Sequence, residues 1–261
     1  MKQLIHFSKY QGTGNDFVML NNLTNDFEHL SIDQIQRLCD RRFGIGADGL
    51  ILIQNKDGFD FEMDYYNSDG SKSFCGNGAR CAVQFAHELG ITQQEVVFYA
   101  IDGMHRATKN EAGIELQMNN VKAEPINGQE GFLNTGSPHV MRYDDDLSHA
   151  HIFQVGKSIR YSETYQKEGV NVNLIRKINA RQIAIATYER GVEDETLSCG
   201  TGATACALFH AQQETLLGEQ LIEVQVKGGV LKVKFHRTED QFKDIYLIGP
   251  AEKVFEGEIY V

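Results

Sequence analysis

Cys75-Gly76-Asn77-Gly78-Ala79 and Cys199-Gly200-Thr201-Gly202-Ala203 say nearly the same thing twice. Each sets a thiol ahead of a Gly-x-Gly turn that opens a run of small and apolar residues with helical spacing. Each sulfur is therefore expected against a helix N-terminus, where N–H groups without intrahelical partners and the helix dipole favour an anion. One such thiol suggests a nucleophile. Two at equivalent places in a duplicated chain suggest a pair working on opposite faces of one substrate.

The duplication reaches beyond these loops. Thr13-Gly14-Asn15-Asp16-Phe17-Val18-Met19 matches Thr135-Gly136-Ser137-Pro138-His139-Val140-Met141, and Asp102-Gly103 matches Gly228-Gly229, in the same order and at nearly the same offset. The chain thus reads as two copies of one fold. The expected domains are 1–120 and 121–249, with 250–261 as a segment that fits either half and would complete the first.

Within the first copy, Ser31 followed by Gln34 forms a capping box for a helix expected to run to Arg42, with Gly44 past its end. Phe59, Phe61, Met63 and Tyr65 alternate with polar neighbours, the pattern of a half-buried strand, and Asn67-Ser68-Asp69-Gly70 turns the chain into the cysteine loop. From Ala79 to Leu89 the apolar residues go round most of a helix, which marks it as central and buried. Strands are expected at 94–101 and 114–118. The second copy repeats the plan, with strands at 170–176, 181–188, 221–226 and 230–235, a helix over 203–213, and a last strand at 253–261. Short strands around one apolar helix give an α+β class: two pseudo-symmetric domains, each a barrel-like sheet around a central helix.

Composition narrows the function. With 261 residues, 41% of them apolar, the chain can build two cores. A net charge of −11 argues against a nucleic-acid partner, since phosphate binding needs clustered Lys and Arg that this sequence does not have. The start of the chain has no apolar stretch of about 7 residues, as a secretory signal would, and no run reaches the ~18 apolar residues of a membrane span. A cytoplasmic protein that acts on a small molecule is expected, with no membrane partner. Five cysteines without a CxxC pair argue for reduced thiols rather than a disulfide framework or structural zinc. Cys39, Cys81 and Cys206 lie within helical patterns and read as small buried hydrophobes.

If the two loops border one cleft, a substrate α-carboxylate between two helix N-termini meets backbone N–H groups of Gly76, Asn77, Gly200 and Thr201. Cys75 and Cys199 then flank the α-carbon. A thiol ionising near 8.5 is a poor base at neutral pH, and a helix terminus lowers that value by roughly one to several units. One cysteine takes the α-proton as thiolate while the other, kept as thiol, returns a proton to the opposite face. Coupled titration permits these unlike states, because the first charge opposes the second. The chemistry calls for no cofactor and no metal, and the sequence has neither HExxH nor a Walker loop. A redox dithiol is the competing reading of two cysteines, and a duplicated binding protein without turnover is the competing class.

GTGNDFV (12–18), RRFGIGADGL (41–50), YYNSDGSKSFCGNGARC (65–81), GVNVNL (169–174), YERGVEDETLSCGTGATA (188–205) and IGPAEKVFEGEI (248–259) resemble the blocks of the diaminopimelate epimerase family, in that family's order. The resemblance covers essentially the whole chain. It implies a cofactor-independent epimerase that interconverts LL- and meso-diaminopimelate in lysine and peptidoglycan precursor synthesis, with two similar domains, the site between them, and a homodimer. By the same resemblance Cys75 and Cys199 are the base and acid, Asn15 contacts substrate, and Asn67 and Asn171 hold its distal amino acid end. Glu189 and Arg190 offer opposite charges to the distal ammonium and carboxylate, and His139 and Glu189 tune the cysteines.

Two positions depart from the family pattern. Ser137 stands where many relatives have an asparagine, and Gly49 where some carry a glutamine that reaches the substrate. An epimerase or racemase for another amino acid such as hydroxyproline is the alternative within the wider fold; it leaves the distal set Asn67, Asn171, Glu189 and Arg190 without a purpose. Phenazine-type isomerases of similar shape lack the cysteine pair.

Overall fold

Alternation builds the strands on which everything else is hung. The computed structural model describes residues 4–27, 30–124 and 128–261; the first three residues, which entered the reading of the N-terminus, lie outside that range. In chain order the elements are β1 (Leu4–Gly12), β2 (Asn15–Asn21), α1 (Ile32–Cys39), β3 (Gly49–Gln54), β4 (Phe61–Asn67), α2 (Gly76–Glu88), β5 (Glu95–Ala100), β6 (Gly103–Asn110), β7 (Gly113–Gln117), β8 (Val121–Lys122), β9 (Glu130–Asn134), β10 (Pro138–Tyr143), α3 (His149–Arg160), β11 (Asn171–Asn179), β12 (Gln182–Glu189), β13 (Asp194–Thr196), α4 (Gly200–Gln213), β14 (Gly218–Val226), β15 (Gly229–Arg237), β16 (Gln241–Gly249) and β17 (Glu252–Tyr260). They fall into two compact units, Met1–Leu116 with Gly249–Val261, and Gln117–Ile248.

In the first unit the strands pair in the order β17, β1, β2, β3, β4, β5, β6, β7, with β2–β3 and β4–β5 parallel and the rest antiparallel. The first hairpin turns on Thr13 and Gly14, at φ 52° and 88°, the left-handed pair that matches strand twist. β3 is buried on both faces, which explains its unbroken apolar run. Val18, Leu20, Leu50 and Leu52 face α1 in one cluster. On the other face, Phe17, Ile51 and Met63 lie under α2, so close that a Cβ on Gly78 would stand 3.1–3.3 Å from them. α2 is buried along most of its length.

The second unit repeats the pairing: β9, β10, β11, β12, β14, β15, β16, β8, with β10–β11 and β12–β14 parallel. Val172, Leu174 and Ala186 face α3; Met141, Ile175, Ile183 and Ile185 face α4. α4 is buried from Gly202 to Ala211. α3 has no counterpart among the expected elements. Its interior Gly156, which reads as a helix breaker, is where the helix crosses Tyr188: a Cβ there would lie 2.3 Å from that side chain.

The capping box at Ser31 is present in both directions, Gln34 N donating to Ser31 Oγ at 3.3 Å and Ser31 N to Gln34 Oε1 at 2.9 Å; such a cap contributes about 1 kcal/mol. α1 stops at Cys39, short of Arg42, because the Asp40 carboxylate accepts from Arg42 N and Phe43 N and draws the chain out of helix. The strand expected from Phe59 starts at Phe61. The two cysteine-loop helices begin earlier than expected, at Gly76 and Gly200 instead of Ala79 and Ala203. Ala79 N donates to Cys75 O at 2.8 Å and Ala203 N to Cys199 O at 2.9 Å, so each Gly-x-Gly is the first helical turn.

Candidate active site

Cys75 and Cys199 are the N-cap residues of α2 and α4, with backbone angles φ −133°, ψ 115° and φ −121°, ψ 111°. Gly76 and Asn77, and likewise Gly200 and Thr201, are the first two residues of a helix, whose N–H groups have no intrahelical acceptor. Both helices exceed three turns, so a dipole stands behind each sulfur. The other three thiols are inert by burial: Cys39 and Cys81 are each pushed up to about 12, and Cys206 well above its ordinary value.

In the first unit Asn15 is clamped before it meets the thiol. Its Nδ2 donates to Asp48 Oδ2 at 2.5 Å, which leaves Oδ1 facing Asn77 Nδ2 at 3.3 Å and the Cys75 thiol at 3.5 Å. Asp48 is itself held by Arg41, which also pairs with Asp16. The buried Lys9 ammonium bonds Asp16 at 2.7 Å and donates to Gly46 O. Burial alone would raise the Asp16 carboxyl; the hydrogen bonds from Arg41 and Lys9 outweigh it and hold the group at about 2. Arg80, fully buried on α2, places a charge that acts on Cys81 and Cys75. It donates to Thr13 Oγ1 and Pro250 O, both at 3.4 Å. Asn67 lies at the end of β4, where its amide donates to Ser71 O, Ser71 Oγ and Ser73 Oγ at 3.1 Å and its Oδ1 accepts from Tyr65 at 3.0 Å.

In the second unit His139 and Thr201 meet at 2.9 Å, and Thr201 Oγ1 lies 3.5 Å from Cys199 Sγ. Burial, then the Arg190 charge, hold His139 down at about 3, so its imidazole is neutral near pH 7. Asn171 accepts from Arg190 N at 2.8 Å and donates to Pro138 O at 3.3 Å; its amide shapes the backbone at the end of β12. Arg190 Nη1 donates to Glu168 O at 3.0 Å. Glu189 is the last residue of β12 and opposes Asp194 in the ladder. Each unit thus gathers its own share of the expected residues: Asn15, Asn67, Cys75, Gly76 and Asn77 in one, and His139, Asn171, Glu189, Arg190, Cys199, Gly200 and Thr201 in the other.

Four side chains of this machinery were not expected from sequence. Asp48 orients Asn15, Tyr65 orients Asn67, and Asn173 with Thr187 supports His139. The hint along the chain is the alternation Val170-Asn171-Val172-Asn173-Leu174, which sets a second asparagine two residues beyond Asn171, on the same face of the strand.

Comparison with known proteins gives the family of the chain. The family described as diaminopimelate epimerase matches residues 7–123 and 131–254. A diaminopimelate epimerase from Flavobacterium psychrophilum is 51% identical over 254 residues, covering 96% of this chain and 98% of the relative. One from Aquifex aeolicus is 38% identical over 276 residues, covering 98% of each. Among solved structures, a phenazine biosynthesis protein of the PhzF family from Bacillus anthracis superposes with a TM-score of 0.76 at 14% identity, covering 99% of this chain and 100% of that one. A hydroxyproline epimerase from Agrobacterium vitis, with bound trans-4-hydroxy-L-proline, gives 0.67 at 11% identity, covering 100% and 94%. At such identities these two structures share the fold alone.

Proposed function

On the premise that this chain belongs to the diaminopimelate epimerase family, we propose that it interconverts LL- and meso-diaminopimelate by proton transfer between two cysteines. The observation that carries the reading is the matched pair of N-cap thiols, Cys75 and Cys199, on near-identical backbone at the heads of two equivalent buried helices.

The α-carboxylate is bound by the first-turn N–H groups of Gly76, Asn77, Gly200 and Thr201, which also stabilise the charge that develops as the α-proton leaves. Cys75 takes or gives the proton on one face of the α-carbon and Cys199 on the other, exchanging roles with direction. One C–H bond breaks as an S–H bond forms, and the reverse happens opposite, so no net proton is consumed. Asn15 contacts the substrate near Cys75. Asn67, Asn171, Glu189 and Arg190 recognise the distal amino acid end, the charged pair matching its carboxylate and ammonium. His139 and Glu189 tune the thiols. The protein acts in the cytoplasm as a homodimer, without a cofactor, in lysine and peptidoglycan precursor synthesis. Among the described residues no helix is long and apolar enough to cross a membrane.

The test is incubation of the purified protein with LL-diaminopimelate in deuterated water, with no added cofactor. Meso product carrying one deuterium at the inverted centre is expected. Turnover of trans-4-hydroxy-L-proline in its place, or no α-hydrogen exchange at all, would overturn the substrate or the chemistry respectively. Light scattering of the eluted protein tests the dimer.

A further inference from the structure

Beneath the first turn of α4 a chain of side chains has its hydrogen positions set by one backbone carbonyl. Val140 O can only accept, so the end of the Asn173 amide lying 3.0 Å from it is the NH2 group. The other end, Oδ1, accepts from the Thr187 hydroxyl at 2.9 Å, across the β11–β12 register pair. The second hydrogen of that NH2 meets His139 Nδ1 at 3.2 Å, which must therefore accept. A neutral imidazole that accepts at Nδ1 carries its hydrogen on Nε2. Nε2 then donates to Thr201 Oγ1 at 2.9 Å, and the threonine's own hydrogen remains to be given to Cys199 Sγ at 3.5 Å.

His139 and Asn173 are fully buried and Thr187 nearly so. The fold does not need an imidazole or an amide in this layer. In the first unit, Phe17 pairs with Gly49 as His139 does with Asn171, and Ile51 with Tyr65 as Asn173 does with Thr187. The equivalent layer under α2 is therefore built from Phe17, Ile51 and Tyr65, with no imidazole and no amide. Gly202 confirms how tightly the polar layer is fitted: a Cβ there would stand 2.7 Å from Asn173 Oδ1 and 3.3 Å from both Cys199 Sγ and His139 Cε1. The titratable and charged groups around the chain are Arg190, whose charge acts on His139, Glu189 beside it at the end of β12, and the buried Cys206 thiol on α4, which feels Cys199.

We propose that Asn173 is a positioning residue for Cys199: it holds His139 as the Nε2–H tautomer, which turns the Thr201 hydroxyl into a donor aimed at the sulfur and so steadies the thiolate. The network transfers no proton itself. The proton leaving the substrate ends on Cys199, and Thr201 and His139 keep theirs throughout. This rests on the reading of Cys199 as half of the acid/base pair.

The experiment has a spectroscopic arm and a reactivity arm, both on the full-length protein. Nitrogen-15 NMR of labelled histidine is expected to show His139 with an unprotonated Nδ1 and a protonated Nε2 from pH 5 to 9. In Asn173→Asp, the carboxylate should draw the proton to Nδ1. Alkylation of Cys199 by iodoacetamide, followed by peptide mass spectrometry in a Cys75→Ala background, should slow about tenfold at pH 7 in Thr201→Val, the effect of one pKa unit. Thr201→Ser should restore it, and Asn173→Asp should slow it similarly. An Nδ1–H tautomer in the native protein, or a Thr201→Val rate-against-pH curve that overlays the native one, would overturn the proposal. Neither arm uses substrate, so failure of the diaminopimelate assay is read separately.

Discussion

Tyr65 stands where a side chain on Gly49 would begin: its ring carbon Cε2 is 2.4 Å, and its hydroxyl 2.9 Å, from the Cβ that glycine lacks. The same hydroxyl donates to Asn67 Oδ1, and the ring packs edge-on against Phe17 with centroids 5.9 Å apart. The missing side chain at 49 is therefore no gap, because the strand partner Ile51↔Tyr65 brings an aromatic ring across to fill it. Glycine here serves close approach rather than backbone freedom.

A side chain at 49 must displace that ring and also push back the Tyr66 backbone carbonyl, whose oxygen lies 2.5 Å from the same Cβ. Gly49→Gln is expected to lower stability by about 1–3 kcal/mol, the usual cost of overpacking. Combined with Tyr65→Ala it should cost less than the sum of the two single changes. Urea midpoints of the four proteins measure the coupling; strictly additive values would mean the two residues do not compete for the same space.

Tyr65→Phe keeps the packing and removes one donor from Asn67. Since Asn67 is proposed to grip the distal end of the substrate, KM should rise several-fold while kcat stays within about twofold. A fall in kcat with KM unchanged would place Asn67 in the chemical step instead.

Cys75→Ala and Cys199→Ala should each abolish net epimerisation, whereas Cys81→Ala, deleting a buried thiol on α2, should keep most activity. Chiral chromatography of the products reads all three. Equal loss across the set would indicate damage to the fold.

The two glycines at the third position of the cysteine-loop helices should differ in tolerance. A methyl on Gly78 meets the flexible ends of Ile51, Met63 and Phe17 at 3.1–3.3 Å, and on Gly202 it meets the clamped Asn173 oxygen at 2.7 Å. Alanine gains about 1 kcal/mol in helix propensity at either site. That gain should nearly offset the crowding in Gly78→Ala and leave Gly202→Ala destabilised by roughly 2 kcal/mol. Thermal or urea unfolding of the pair decides it.

Acid should destabilise the protein in two steps. His139 stays neutral down to about 3, whereas in the unfolded chain a histidine ionises near 6.5. Between those values only the unfolded state binds the proton, so this contribution is complete above about pH 6.5 and is lost, at up to about 1.4 kcal/mol per pH unit, as pH falls. Asp16, held at about 2, adds a loss between about pH 4 and 2, as its pairing with Arg41 and Lys9 is titrated away. Unfolding free energy measured against pH for the native protein and for His139→Gln should diverge in slope below pH 6.5; parallel curves would refute the buried neutral imidazole.

Much of this protein is written in its local sequence. The Ser31 capping box, the alternating strand at Phe61, Met63 and Tyr65, and two buried helices headed by cysteines all follow from spacing between near neighbours, because helix and strand periods and caps are local quantities, and the duplication follows from comparing one half of the chain with the other. The two cysteine-headed helices start three residues before the point their sequence predicts, since glycine reads as a turn when its true reason, contact with Asn173 or with Ile51 and Met63, lies far along the chain. The same holds for α3, whose Gly156 makes sense only against Tyr188.

Tertiary structure alone decided which way the polar groups face. Asp48 reaches Asn15 from 33 residues away, and Asn173 reaches His139 from 34. Strand register sets these partnerships, and a shift of one residue would turn each side chain to the opposite face of its sheet. Residue order therefore specifies that two thiols head two helices, while the pairing of strands determines which donors and acceptors surround each sulfur.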